Sequence, residues 1–277
     1  MDLSNTINGL ERMAAEKIKE EVGDYRGKDG LLYCGKCNTK KQGRYQMPFG
    51  EVMPYILCDC AAEKKAKEEA ARQLFEKVQR YRREAFPESD MQTWTFANDD
   101  GENEKISKVA RNYADNFDRM RSDGKGLLFF GTVGTGKTYS AACIANALID
   151  KGVPVLMTNF ARIANTVQGL FEGKQAYYDS FNRYPLLILD DLSAERKTEY
   201  MQEIVFNVID SRYRAGLPLI VTTNLTSDEL KHPADMTNQR TYSRLLEMCL
   251  PVEISGADRR REKLKEGFNE YKDLLGL

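Results

Sequence analysis

The stretch Gly126-Leu127-Leu128-Phe129-Phe130-Gly131-Thr132-Val133-Gly134-Thr135-Gly136-Lys137-Thr138 decides the fold. Its first five residues form a short apolar run, which reads as a buried strand. The run passes directly into the pattern G-x-x-x-x-G-K-[ST]. A helix follows from Lys137 to Asp150, with Gly152 as its stop and Pro154 just beyond. A glycine-rich turn between a buried strand and a helix is built to hold phosphate. Glycines let backbone N–H groups turn inward around the oxygens, and the helix N-terminus adds partial positive charge. The Lys137 ammonium is placed for β- and γ-phosphates, and the Thr138 hydroxyl for the Mg²⁺ shell. The candidate nucleotide-binding residues are Gly131, Thr132, Val133, Gly134, Thr135, Gly136, Lys137 and Thr138.

Working outward, further apolar strands are expected at residues 155–158, 186–190 and 219–222. A last one, 250–254, contains Pro251 and suits a sheet edge. Apolar strands alternating with helices, including one over 103–122, imply a parallel sheet covered on both faces. Such sheets gather their chemistry at the C-terminal ends of the strands. Leu186-Leu187-Ile188-Leu189 ends in Asp190-Asp191. Asp190 is the expected Mg²⁺-linked carboxylate, and Asp191 the group that orients the attacking water. Thr222-Thr223-Asn224 ends the next strand, and the Asn224 amide is expected near a γ-phosphate. Arg240 and Arg244 share one helix face at i, i+4. Arg259-Arg260-Arg261 follow the last strand, and at least one of these arginines is expected to stabilise charge in the transition state. No Asn-Lys-x-Asp segment reads guanine, and no Leu-Ser-Gly-Gly-Gln signature is present.

The 277 residues suggest one full domain and a smaller appendage. With 42% hydrophobic residues the chain can bury a core. Lys and Arg total 41 against 42 Asp and Glu, which excludes a polycation that coats nucleic acid. No apolar run approaches a membrane span. Glu11, Arg12, Glu16 and Lys17 break the apolar pattern of a signal peptide, so a cytoplasmic protein without membrane contact is expected. Reduced thiols follow from that compartment.

Residues 1–25 carry apolar side chains at steps of three or four and read as an amphipathic helix ending near Gly23, packing on its own domain or docking a partner. Between Arg26 and Arg44 lie six basic residues and one acid, Asp29. Cys34-x-x-Cys37 and Cys58-x-Cys60 present four soft ligands in two close pairs, the number that tetrahedral Zn²⁺ takes. Cys143 and Cys249 read as core residues. Residues 61–86 form a charged helix stopped by Pro87, and 87–100 are polar and turn-rich around Trp94 and Phe96. The expected division is an N-terminal helical and zinc-binding domain over 1–86, a linker over 87–100, and a nucleotide-binding domain over 101–277.

These motifs carry a family likeness. The segments GLLFFGTVGTGKTYSAACIANALI, VLMTNFARI, LLILDDLSAERKTEY, VIDSRYRAGLPLIVTTNL and RTYSRLLE, with the arginine run after them, resemble bacterial replicative helicase loaders of the DnaC and DnaI type and the related IstB-like transposition helpers. The likeness spans roughly residues 95–261. It implies the AAA+ fold, with a five-stranded parallel sheet, and an ATPase using ATP and Mg²⁺. It makes Lys137 and Thr138 Walker A, Asp190 and Asp191 Walker B, Asn224 sensor 1 and Arg259 sensor 2. Arg244, with Arg240 as the alternative, is implied as the arginine finger given to a neighbouring subunit. Asp191 departs from the commoner Glu, which draws the carboxylate back by one methylene. The 18 residues after Arg259 are too few for a helical lid, which loaders of this type lack. Residues 160–178, with Arg162, Lys174, Tyr177 and Tyr178, are implied in single-stranded DNA binding; the two tyrosines equally suit the core. The cysteine layout is similar to the zinc domain of DnaI-type loaders, which contacts the hexameric helicase. The implied activity is delivery of that helicase to single-stranded DNA, self-associating through ATPase interfaces. The alternatives are a transposase helper with the same ATPase, and a zinc-dependent adaptor with a vestigial one.

Overall fold

The computed structural model describes residues 20–86, 88, 90–192, 198–233, 235–259, 271–272 and 275–276. The expected N-terminal amphipathic helix, apart from its last few residues, and Arg260 and Arg261 lie outside them. The chain divides into two compact units between Glu76 and Lys77. This division falls inside one helix, α1 (Asp59–Ala85), and not at residues 87–100.

The first unit is built from short ribbons. Strands β1 (Tyr25–Arg26) and β2 (Leu32–Tyr33) pair antiparallel, as do β3 (Tyr45–Met47) and β4 (Gly50–Val52). Among its described residues the buried apolar ones are few: Leu31, Leu32, Cys34 and Cys58. Polar contacts fill in. Lys41 and Asp24 form a buried ion pair at 2.6 Å, and Gln42 Oε1 accepts from the Leu32 N–H. A module with so little apolar burial needs a further staple.

The second unit has the expected layered architecture. Helices α2 (Glu104–Asp115) and α3 (Phe117–Ser122) break at Asn116, where one helix over 103–122 was expected. Then follow β5 (Gly126–Phe130), α4 (Lys137–Asp150), β6 (Val155–Asn159), α5 (Phe160–Gln168), α6 (Lys174–Ser180), β7 (Leu186–Leu192), α7 (Glu199–Arg214), β8 (Leu219–Thr223), α8 (Ser227–Lys231), α9 (Met236–Met248) and β9 (Cys249–Glu253). The five strands pair in parallel in the order β6-β7-β8-β5-β9. Pro251 is on the edge strand, where its missing N–H costs no ladder bond on the open side.

Alternation sorts the core into two layers. Leu127, Phe129, Leu186, Ile188 and Ile220 pack on one face with α2 and α4. Leu128, Phe130, Leu187, Leu189, Leu219 and Val221 pack on the other with α5, α7 and α9. The first layer also takes in Val78, Ala85, Phe86 and Met91, with Trp94 and Phe96 against it. The stretch expected as a linker is thus packed structure. Buried Asn146 of α4 ties it down, its Nδ2 donating to the carbonyls of Met91 and Trp94 at 2.9 Å. Cys143 and Cys249 are buried as expected.

Candidate nucleotide and metal sites

Three strand ends, joined by Arg259 from beyond β9, meet at one cavity of about 450 Å³ in the second unit. From β5 comes the glycine loop. Gly131, Gly134 and Gly136 all have φ between 79° and 130°, a region that L side chains rarely adopt. A Cβ at Gly131 would lie 2.3 Å from the Ile254 carbonyl oxygen, so this position requires glycine. Gly136 caps α4 in a left-handed conformation, which leaves the helix N-terminus facing the loop. Lys137 is 7% exposed, and its Nζ donates to the carbonyls of Gly131 at 2.9 Å and Thr132 at 2.6 Å. Thr138 lines the same cavity.

From β7 come Asp190 and Asp191, and from β8 Thr222 and Asn224. Asn224 Nδ2 donates to Asp191 Oδ1 at 3.1 Å, joining the expected sensor amide to the expected water-orienting carboxylate. Thr222 was not singled out in the sequence, yet its hydroxyl donates to Asp190 Oδ1 at 2.6 Å. Beyond β9, Arg259 reaches the loop. Its N–H donates to the Gly134 carbonyl at 3.2 Å, and its guanidinium pairs with Asp100 at 3.0 Å. Trp94, Asn98, Asp100 and Tyr139 complete the wall and were likewise missed. The clue was the single Trp in a polar turn, with Asn98 and Asp100 close behind.

The finger candidates lie elsewhere. The Arg244 guanidinium forms an ion pair with Asp210 and stacks 4.8 Å from the Phe206 ring centre and 5.5 Å from that of Tyr213. Arg240, one turn earlier on α9, is exposed and makes no ion pair among the described residues. In the expected DNA-binding segment, Arg162 and Lys174 are exposed, whereas Tyr178 is 4% exposed in the core and half-buried Tyr177 packs edge-on against Phe181.

In the first unit the four expected cysteine sulfurs all lie within 4.8 Å of one another. Cys34 and Cys60 are 3.7 Å apart, and Cys58 and Cys60 3.5 Å. Four thiolates bound tetrahedrally at about 2.3 Å would be about 3.8 Å apart, so these residues fit a zinc ion. Gly35 makes the turn possible, because a Cβ there would lie 2.0 Å from the Gly23 carbonyl oxygen. Hydrogen bonding from Thr39, 3.1 Å away, brings the Cys37 thiol down to about 6. Cys60, surrounded by the other three sulfurs, is pushed up to about 12. A bound cation removes that repulsion.

The family described as IstB-like ATP binding protein matches residues 63–266. The replicative helicase loader DnaI of Bacillus subtilis is 30% identical over 151 residues, half of this chain and 48% of that protein. The loader DnaC of Escherichia coli K12 is 27% identical over 135 residues, 47% of this chain and 54% of that one. The chain therefore spans about half the length of the curated relatives it matches. A crystal structure of DnaI matches at 25% identity and TM-score 0.51, covering 65% of this chain and 99% of that one. One of the DnaC helicase loader matches at 25% identity and TM-score 0.52, covering 61% and 100%. The sheet order and glycine loop agree with the AAA+ fold of those proteins. The chain belongs to the IstB-like ATP-binding protein family.

Proposed function

We propose that this chain is an ATP-hydrolysing loader that delivers a hexameric replicative helicase to single-stranded DNA. The observation that carries the reading is the single cavity in which the glycine loop, Asp190, Asp191, Asn224 and Arg259 meet. In it the loop N–H groups and Lys137 hold the β- and γ-phosphates of ATP. Thr138 and Asp190 would hold Mg²⁺, which when bound neutralises charge developing on the phosphates. Asp191, oriented by Asn224, positions the attacking water. Arg259 has an anion partner in Asp100 and exchanges it for phosphate when ATP enters. The cysteine unit holds zinc and, with the basic residues around it, grips the helicase.

A second reading is favoured by the family match, whose description names the transposition-helper side of the likeness. That helper shares the ATPase and differs in partner. Capture assays with the full chain separate the two. The loader reading expects retention of a replicative helicase hexamer, and ATP-dependent binding of single-stranded DNA that weakens with salt as counterions are released. Retention of a transposase and no helicase would overturn it.

The loader reading also sets a finger test. In this reading Arg244, held by Asp210 and two aromatic rings of its own chain, is the finger given to a neighbouring subunit. Arg244→Ala is expected to bind ATP and to lose about 10³-fold in hydrolysis. Mixing it with a Lys137→Ala chain should restore part of the rate, since each supplies what the other lacks at a shared interface. Normal hydrolysis in Arg244→Ala with loss in Arg240→Ala would move the finger to Arg240.

A further inference from the structure

Asp190 and Asp191 are neighbours on one strand, and neighbours on a strand point to opposite faces. Leu186 and Ile188 belong to the layer of α4, and Leu187 and Leu189 to the opposite layer. Continued alternation would send Asp190 toward the glycine loop and Asp191 away from it. Both nonetheless line the same cavity.

The break in alternation is visible in the register. Leu189 pairs with Val221 and Leu192 with Thr223, so two residues of β7 oppose the single residue Thr222 of β8. This is a bulge, uncommon between parallel strands. Asp191 absorbs it with φ of +60°, the left-handed region. Past the bulge the parity has switched. Leu192, an even-numbered residue, packs in the layer of Leu187 and Leu189.

The side chain facing the bulge from β8 is Thr222, 1% exposed. Its hydroxyl accepts from the Asp191 backbone N–H at 2.8 Å and donates to Asp190 Oδ1 at 2.6 Å. One hydroxyl thus takes the amide that lost its ladder partner and holds the neighbouring carboxylate. Two residues on, Asn224 fixes the Asp191 carboxylate.

We propose that Thr222 is a positioning residue for hydrolysis: its hydroxyl keeps the Asp190–Asp191 bulge in place, so that two adjacent acids serve one nucleotide site. The proposal rests on the ATPase reading above. It assigns Thr222 to the rate of the chemical step and not to ATP affinity, which the glycine loop and Lys137 supply.

The test compares Thr222→Val, which keeps the shape and removes the hydroxyl, with Thr222→Ser, which keeps the hydroxyl. Both are measured in the full chain for ATP affinity, single-turnover hydrolysis and melting temperature. Thr222→Val is expected to bind ATP as the wild type does and to hydrolyse it about 10²-fold more slowly, the scale of loss for a misplaced catalytic group. Thr222→Ser is expected to stay close to the wild-type rate. If Thr222→Val does not fold, Thr222→Cys, similar in volume with a weak S–H donor, takes its place and is expected to fall between the two. Unchanged hydrolysis in Thr222→Val overturns the proposal. So does a loss of ATP affinity that accounts for the whole loss of rate, which would make Thr222 a structural support of the pocket. A wild-type chain that binds ATP without hydrolysing it defeats the parent reading, and this one with it.

Discussion

Lys137→Ala is expected to abolish hydrolysis and to weaken ATP binding by about 10²-fold, since hydrogen bonds to charged groups are worth about 1.5–3 kcal/mol each. The fold is expected to survive. Nζ of Lys137 donates to two loop carbonyls, of Gly131 and Thr132, and takes no part in the apolar layers. Loss of those bonds loosens the loop and leaves the sheet as it is. Calorimetric titration with ATP and Mg²⁺, beside a thermal melt, checks both halves. Undiminished ATP affinity would sink the assignment of the glycine loop as the phosphate site. A collapse in melting temperature would mean that the lysine has a structural duty this geometry does not give it.

The second large effect concerns the cysteine unit. Freshly purified protein is expected to carry one zinc per chain. A chelator is expected to unfold the first unit while ATP binding by the second persists. Structural zinc contributes on the order of 10 kcal/mol to a small module. The apolar residues buried among the described part of the unit, Leu31, Leu32, Cys34 and Cys58, cannot supply that much stability. Hydrogen exchange read separately over residues 20–76 and over the sheet checks the split. Absence of zinc with full protection of that unit would end the idea. Acid acts through the same ligands. The Lys41 ammonium beside Asp24, helped by the Glu21 N–H, holds the Asp24 carboxyl down to about 2 from the ordinary 3.8. The stability from this lowered carboxyl is complete above the ordinary value and is lost only as pH falls through about 2. Unfolding of the unit above about pH 4 therefore reports protonation of thiolates and release of metal, not the Asp24–Lys41 pair.

Much of this protein is local in origin. The run Gly126–Phe130, the glycines after it and the helical spacing from Lys137 lie within one continuous stretch. A buried strand, a left-handed turn and a capped helix each follow from a few adjacent residues, so sheet type, glycine loop and strand ends were readable. The paired cysteines were readable for the same reason, since a short turn joins Cys34 to Cys37 and the start of α1 joins Cys58 to Cys60. The tertiary structure decided what depends on distant partners. Residues 87–100 look like a linker because their polarity is local, yet Asn146, more than fifty residues away, pins their carbonyls and makes them a wall of the pocket. The unit boundary falls inside α1 because helix propensity does not report where a core begins. Strand alternation alone would have parted Asp190 from Asp191. They share a site because Thr222, 31 residues further on, opposes both of them across the register of β7 and β8. Register is set by how two strands pack together, and neither strand carries that information alone.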